Sequence, residues 1–186
     1  MANRFAAFLR GMNLGGRRIT NDDLCAAFAA VGLTDAAAFR ASGNVVFTSD
    51  DFSSDGNVDL LRRRIEDGLA DALGYPVPTF LRTAGEMRAI ADHQPFPADV
   101  IAASAGKLQV VLLAAAPGAK ARREVLALAT DDDRLAVDGT ELYWLPAGGV
   151  SQSELDQKAV DAAVGVGTQR TKGTVDLMAA KYFAAE

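Results

Sequence analysis

Apolar positions along this chain fall into short runs with two different periods, and the periods sort them into elements. Residues 4–10 (RFAAFLR) form a strand-length apolar run that ends at the glycines of Gly11-Met12-Asn13-Leu14-Gly15-Gly16, which predicts a buried strand followed by a loop. Thr20 stands where it can cap a helix, and Asp22 and Asp23 follow in the first turn, where the helix dipole favours negative charge. Leu24, Phe28 and Val31 supply that helix's apolar stripe before Gly32 stops it. Residues 37–41 and 45–48 read as strands around Ser42-Gly43-Asn44, because Gly and Asn tolerate the positive φ of a tight hairpin. Leu60, Leu61, Ile65, Leu69 and Leu73 then recur at helical spacing up to Gly74. Residues 76–82 (PVPTFLR) close the series as a strand whose prolines push it to a sheet edge.

A short helix over residues 83–93 and the stop Gln94-Pro95-Phe96-Pro97 follow, and then the order repeats. The second series is a strand over 107–114, a helix over 118–128, and strands over 134–137 and 141–145 joined by Asp138-Gly139, the strongest short hairpin signal in the chain. Ser151-Gln152-Ser153-Glu154 reads as a capping box opening a helix that runs to residue 164. A strand over 166–170 and a C-terminal helix over 174–183 complete it. The fold class predicted is α/β of the α+β kind: two ferredoxin-like (split β-α-β) units with antiparallel sheets, plus a C-terminal helix. The expected division is 1–82 for the first unit, 83–106 for a bridging helix and loop, and 107–186 for the second unit with the C-terminal helix. In such a unit the first strand ends, and the hairpin between the second and third strands turns, at the same end of the sheet. The 11–16 segment and the 42–44 turn are therefore expected side by side.

Composition narrows the function classes. With 186 residues, 49% of them hydrophobic and 23% charged, the chain can bury an ordinary core. No apolar run approaches the ~18 residues of a membrane span, and residues 1–5 lead straight into a strand without a signal-peptide pattern, so a cytoplasmic protein is expected. Cys25, the single cysteine, has no internal disulfide partner and reads as a small core hydrophobe in the run Leu24-Cys25-Ala26-Ala27-Phe28. His93 is the only imidazole, so no Cys/His metal cluster can be assembled, and its place at a helix end suits a surface or capping role rather than acid-base catalysis. Asp131-Asp132-Asp133 reads as a solvated turn before a strand, so no metal site is expected. The net charge of −5 weighs against nucleic acid as a partner. No cofactor, reaction or oligomeric state follows from the residues.

One place carries candidate chemistry. The glycine segment is neither a Walker loop nor a dinucleotide fingerprint, since Gly11, Gly15 and Gly16 have the wrong spacing and no Gly-Lys-Ser/Thr follows. Glycines at a strand-to-helix junction nevertheless let backbone N–H groups approach an anion, with Arg10, Arg17 and Arg18 adding positive charge. The candidate ligand-binding set is Arg10, Asn13, Gly15, Gly16, Arg17, Ser42, Asn44 and Arg170, for a small ligand bearing phosphate or carboxylate. Turn chemistry accounts for the glycines, Asn13, Ser42 and Asn44 equally well. The alternative function is a protein- or RNA-interaction module using an open sheet face, for which Phe8 and Phe47 would have to form a stacking platform.

The string Ala7-Phe8-Leu9-Arg10-Gly11-Met12-Asn13-Leu14-Gly15-Gly16 resembles the opening signature of the bacterial domain of unknown function family 1697, and Ser42-Gly43-Asn44-Val45-Val46-Phe47 resembles its second signature. Weaker echoes run through Gln94-Pro95-Phe96, Glu141-Leu142-Tyr143, Thr168-Gln169-Arg170 and Thr174-Val175, so the resemblance spans nearly the whole chain. It implies paired ferredoxin-like units and no particular activity. It also suggests that the segment carrying Arg170 joins the site. The sequence departs from the family where Thr-x-Arg-Asn-Trp-Asn-Thr is usual: Thr168, Arg170 and Thr174 match, while Thr171, Lys172 and Gly173 replace Asn-Trp-Asn. A stacking role for that tryptophan is therefore not available, and Lys172 would favour an anion instead.

Overall fold

The computed structural model describes residues 3–12, 19–40, 43–50 and 58–184. The chain divides into two units, one made of Met1–Arg88 with Met178–Glu186 and the other of Ala89–Leu177. In the first, β1 (Asn3–Leu9), α1 (Asn21–Ala30), β2 (Thr34–Ala38), β3 (Asn44–Ser49), α2 (Val58–Leu73) and β4 (Thr79–Thr83) follow one another. The strands pair antiparallel in the order β2-β3-β1-β4. This is the split β-α-β arrangement, and it leaves the proline-led strand at an edge as its sequence requires.

Two periods build the core of this unit. Phe5, Ala7 and Leu9 alternate along β1 onto the face that receives α1 through Leu24 and Phe28 and α2 through Leu61, Ile65 and Leu69. Phe47 lies in the same layer, stacked on Phe5 at 5.6 Å between ring centroids and tilted against Phe28 at 5.3 Å. Each such fully buried side chain is worth roughly 1.5–3 kcal/mol over leaving it in water. Thr20 caps α1 as its sequence predicts, its hydroxyl oxygen accepting from the Asp23 N–H at 3.1 Å.

Two helices follow β4. The first, α3 (Ala84–Asp92), opens on a reciprocal cap, Thr83 Oγ1 accepting from the Glu86 N–H at 3.2 Å while Glu86 Oε2 accepts from the Thr83 N–H at 2.7 Å. The second, α4 (Ala98–Ala103), was not expected: it has six residues, Pro97 at its N-cap and no side-chain cap bond.

The second unit holds β5 (Gln109–Leu112), α5 (Ala119–Leu126), β6 (Asp133–Asp138), β7 (Glu141–Pro146), α6 (Gln157–Val164) and β8 (Thr168–Thr171), with α7 (Lys172–Tyr182) after them. Its sheet repeats the antiparallel order, β6-β7-β5-β8. Leu135, Val137, Leu142 and Trp144 face Val125 of α5 and Val160 of α6. The β6-β7 turn is the tight one expected, with Asp138 paired to Glu141 and Gly139 at φ 52°.

Two expectations are corrected. Strand β2 spans Thr34–Ala38 rather than 37–41, because Asp35 and Arg40 adopt positive φ, 51° and 59°, and the pairing with β3 shifts register between Thr34 and Ala37. Ser151 does not open α6: residues Val150–Gln152 make a single 3-10 turn, and Asp156 caps the helix, its carboxylate accepting from the Lys158 and Ala159 N–H groups, both at 3.0 Å. One carboxylate oxygen satisfies two of the orphan donors at the helix start, which a single serine hydroxyl does less well.

The segment after α4 is strapped to the end of β7. Ser104 Oγ donates to the Pro146 carbonyl at 2.7 Å and the Ala105 N–H to the Ala147 carbonyl at 3.1 Å. At Gly106 a Cβ would run into the Pro146 and Gly148 carbonyl oxygens, backbone atoms that cannot swing aside. Gly106→Ala is expected to cost about 1–3 kcal/mol, the usual range for overpacking. Gly173→Ala, at an exposed helical position with nothing near its Cβ, is expected to be neutral or to stabilise by up to about 1 kcal/mol. Urea unfolding midpoints of the two variants check this, and equal midpoints would remove the strap from the account.

Candidate functional site

The antiparallel register of β1 and β3 sets the end of the first sheet. Phe8 stands opposite Asn44, the Leu9 N–H donates to the Gly43 carbonyl at 2.7 Å, and the Arg10 N–H donates to the Pro78 carbonyl at 2.9 Å. Gly43 needs to be glycine: its φ is 68°, and a Cβ there would sit 3.1 Å from Met12 Cγ and 3.2 Å from the Leu9 carbonyl oxygen. The start of the glycine segment and the start of β3 thus pack on each other at one sheet end. Arg10 is half-buried there, and Gly11, at φ 78°, has open space where a side chain would stand. Asn44 is fully buried, its amide nitrogen donating to the Phe39 carbonyl at 3.1 Å, which braces the β2-β3 connection. Asn13, Gly15, Gly16, Arg17 and Ser42 lie outside the described residues.

Arg170 belongs to β8 of the second unit, opposite Val110. Its Nη1 donates to Thr168 Oγ1 at 2.9 Å and to the Gln169 carbonyl at 2.7 Å. Burial pushes the guanidinium down from its ordinary range to about 10, since desolvation disfavours the charged form. Lys172 is not offered to an anion: it is buried, and its Nζ donates to the Ala91 carbonyl at 3.0 Å and to Asp176 Oδ1 at 2.7 Å. Phe8 and Phe47 are both 0% exposed, so neither presents a ring for base stacking. His93 packs its ring on Tyr143 at 4.9 Å between centroids, with Nδ1 3.6 Å from Asp138 Oδ2, and Cys25 is half-buried in α1.

The sequence reading missed Asp133. The three aspartates were expected to form a solvated turn; Asp131 and Asp132 are exposed, while Asp133 is 2% exposed and begins β6. The strand period carried the signal, because Asp133, Leu135 and Val137 alternate onto one face and the latter two are core. Asp133 Oδ1 accepts from Trp144 Nε1 at 2.6 Å and from Ser153 Oγ at 2.7 Å. Asp133 lines a cavity of about 570 Å³ that also touches Thr130, Asp132, Ser153 and Glu154. A second cavity of about 300 Å³, lined by Asp99, Ser104, Asp131 and Arg134, shares Asp132 and Ala147 with it. Among the described residues no group of three or more His, Cys, Asp or Glu could hold a metal ion, and no helix is long and apolar enough to cross a membrane.

The lowered value of Arg170 has a consequence for stability. Above about 10 the unfolded chain still holds the proton that the folded protein has released, so stability rises with pH from there. Below it the cost of the buried charge is constant. Relative to Arg170→Gln, the wild type is expected to gain roughly 1 kcal/mol between pH 9 and 11. Urea unfolding of both proteins at these two pH values checks it, and a pH-independent difference would contradict it.

No curated protein matches the sequence. Among solved structures the chain is similar to the conserved bacterial protein SP0830 from Streptococcus pneumoniae, with a TM-score of 0.69 and 16% sequence identity over 97% of this chain and 98% of that one. At that identity the likeness speaks for the fold alone. A family model described as protein of unknown function (DUF1697) matches residues 2–143, and the chain belongs to that family.

Proposed function

We propose that the protein binds a small anionic ligand, one bearing phosphate or carboxylate, at the end of the first sheet. The observation that carries this reading is the β1-β3 register, which brings the Arg10-Gly11 exit of β1 and the Gly43 entry to β3 to the same place. A half-buried guanidinium beside a glycine with open space at its Cβ position suits an anion physically. The backbone can come close to the ligand there, and charge-assisted hydrogen bonds are stronger than neutral ones. The connection from Gly11 to Thr20 adds Arg17 and Arg18 in sequence. Asn44 contributes by holding the turn rather than by touching the ligand. An RNA platform on Phe8 and Phe47 has no comparable support, since both rings are buried.

The test is a thermal-shift series on the full chain with inorganic phosphate, pyrophosphate, acetate, citrate and a short RNA, each against sodium chloride at equal ionic strength. A ligand at ~100 times its dissociation constant adds roughly 2.7 kcal/mol, worth about 5–10 °C in a chain of this size. One of the small anions is expected to give such a shift, and a folded Arg10→Ala is expected to lose most of it. No shift with any anion, or an equal shift in Arg10→Ala, would overturn the reading; a shift with RNA alone, weakening steeply with salt, would replace it with the interaction module.

A further inference from the structure

We propose that the cavity beside β6 and β7 in the second unit binds a small organic cation carrying primary ammonium groups, with Asp133 Oδ2 as its anchor. Both hydrogen bonds to the Asp133 carboxylate end on Oδ1, one from Trp144 Nε1 and one from Ser153 Oγ. Oδ2 accepts none from any described residue. No fully buried side-chain oxygen among the described residues lacks a partner, so Oδ2 must be reached by solvent, and for a residue only 2% exposed that opening is the cavity it lines. An ionised carboxylate offers about four acceptor positions, and two of these are taken by neutral donors that fix the plane of the group without cancelling its charge.

The surroundings select the sign and the chemistry of the occupant. Asp132 and Glu154 line the same cavity, and among the described residues no lysine or arginine does. Three carboxylates around a partly enclosed space of about 570 Å³ attract cations more strongly than the same charges spread over open water. They do not converge into a group able to chelate a metal ion. That favours a ligand whose own N–H donors reach separate acceptors, one ammonium on Asp133 Oδ2 and another toward Asp132 or Glu154. The Pro146, Ala147 and Gly148 segment closes one side of the space, and the Ser104 strap holds its first two carbonyls.

Trp144, the chain's single tryptophan, donates to the same carboxylate and so reports on it. The experiment titrates the full chain with 1,4-diaminobutane, following tryptophan emission, against tetramethylammonium chloride at equal ionic strength, which carries positive charge but no N–H. A saturable change with the diamine and none with tetramethylammonium is expected. Asp133→Asn, which keeps an acceptor oxygen for Trp144 and Ser153, is expected to weaken binding by about 10-fold to 100-fold, the loss of one charge-assisted hydrogen bond. Glu154→Gln, at an exposed position that leaves the core untouched, is expected to weaken it by a few fold and decides the matter if Asp133→Asn fails to fold. No saturable response to the diamine, the same response to tetramethylammonium, or unchanged affinity in Glu154→Gln together with a folded Asp133→Asn would each overturn the proposal.

Discussion

The pairing of the first strand of each unit on both of its edges is the constraint from which the other features follow. β1 lies between β3 and β4, and β5 lies between β7 and β8, all antiparallel. A strand paired on both sides has its backbone groups satisfied within the sheet, so both of its faces can be apolar without orphaning a donor. Phe5, Ala6, Ala7 and Phe8 are accordingly all 0% exposed, and Val110 and Leu112 likewise. With the central strand held in this way, the residues at its end have little freedom. The Leu9 N–H meets the Gly43 carbonyl because the preceding six residues, Asn3 to Phe8, are already in register.

That constraint is why so much of the architecture was legible in the sequence. Unbroken apolar runs such as Phe5 to Leu9 belong to strands covered on both sides, the stripe through Leu61, Ile65 and Leu69 belongs to a helix with one buried face, and the turn before Glu141 needed a residue able to take positive φ, which Gly139 supplies. What was not legible depended on choices between equivalent local solutions. Asp35 and Arg40 take positive φ, where non-glycine residues are uncommon, and the whole of β2 moves by three residues as a result. Ser151 and Asp156 both had the chemistry of a cap, and Asp156 takes the role with one carboxylate oxygen on two backbone donors while Ser151 sits inside a 3-10 turn.

The candidate sites divide in the same way. The shared end of the first sheet followed from topology alone, whereas the role of Asn44 did not, because an amide at a turn serves the turn and a ligand with the same groups, and here the Phe39 carbonyl has it. Asp133 was hidden by its neighbours. Three consecutive aspartates look like a solvated surface, and only the alternation with Leu135 and Val137 separates the third from the other two.

The second unit buries the charged side chains of Asp133, Glu141 and Lys172, and half-buries Arg170. Replacing a buried charged group with an apolar one of similar volume is often neutral or stabilising, because desolvating the ion costs more than its contacts return. Arg170 bears that cost in its lowered proton affinity, and the equivalent strand position of the first unit, Arg82, repeats the arrangement. Each stands on the last strand of its sheet opposite a small apolar residue, and each turns Nη1 back to the carbonyl of the residue before it at 2.7 Å. A feature built twice at the same register is a property of the arrangement rather than of one loop. Asp133 has no counterpart of this kind: Thr34, which begins the corresponding strand β2, is neutral and exposed. Asp133 takes both side-chain hydrogen bonds on Oδ1 from neutral donors, beside a cavity that Asp132 and Glu154 also line, so a cation entering there meets acidic residues whose charge those donors leave uncancelled.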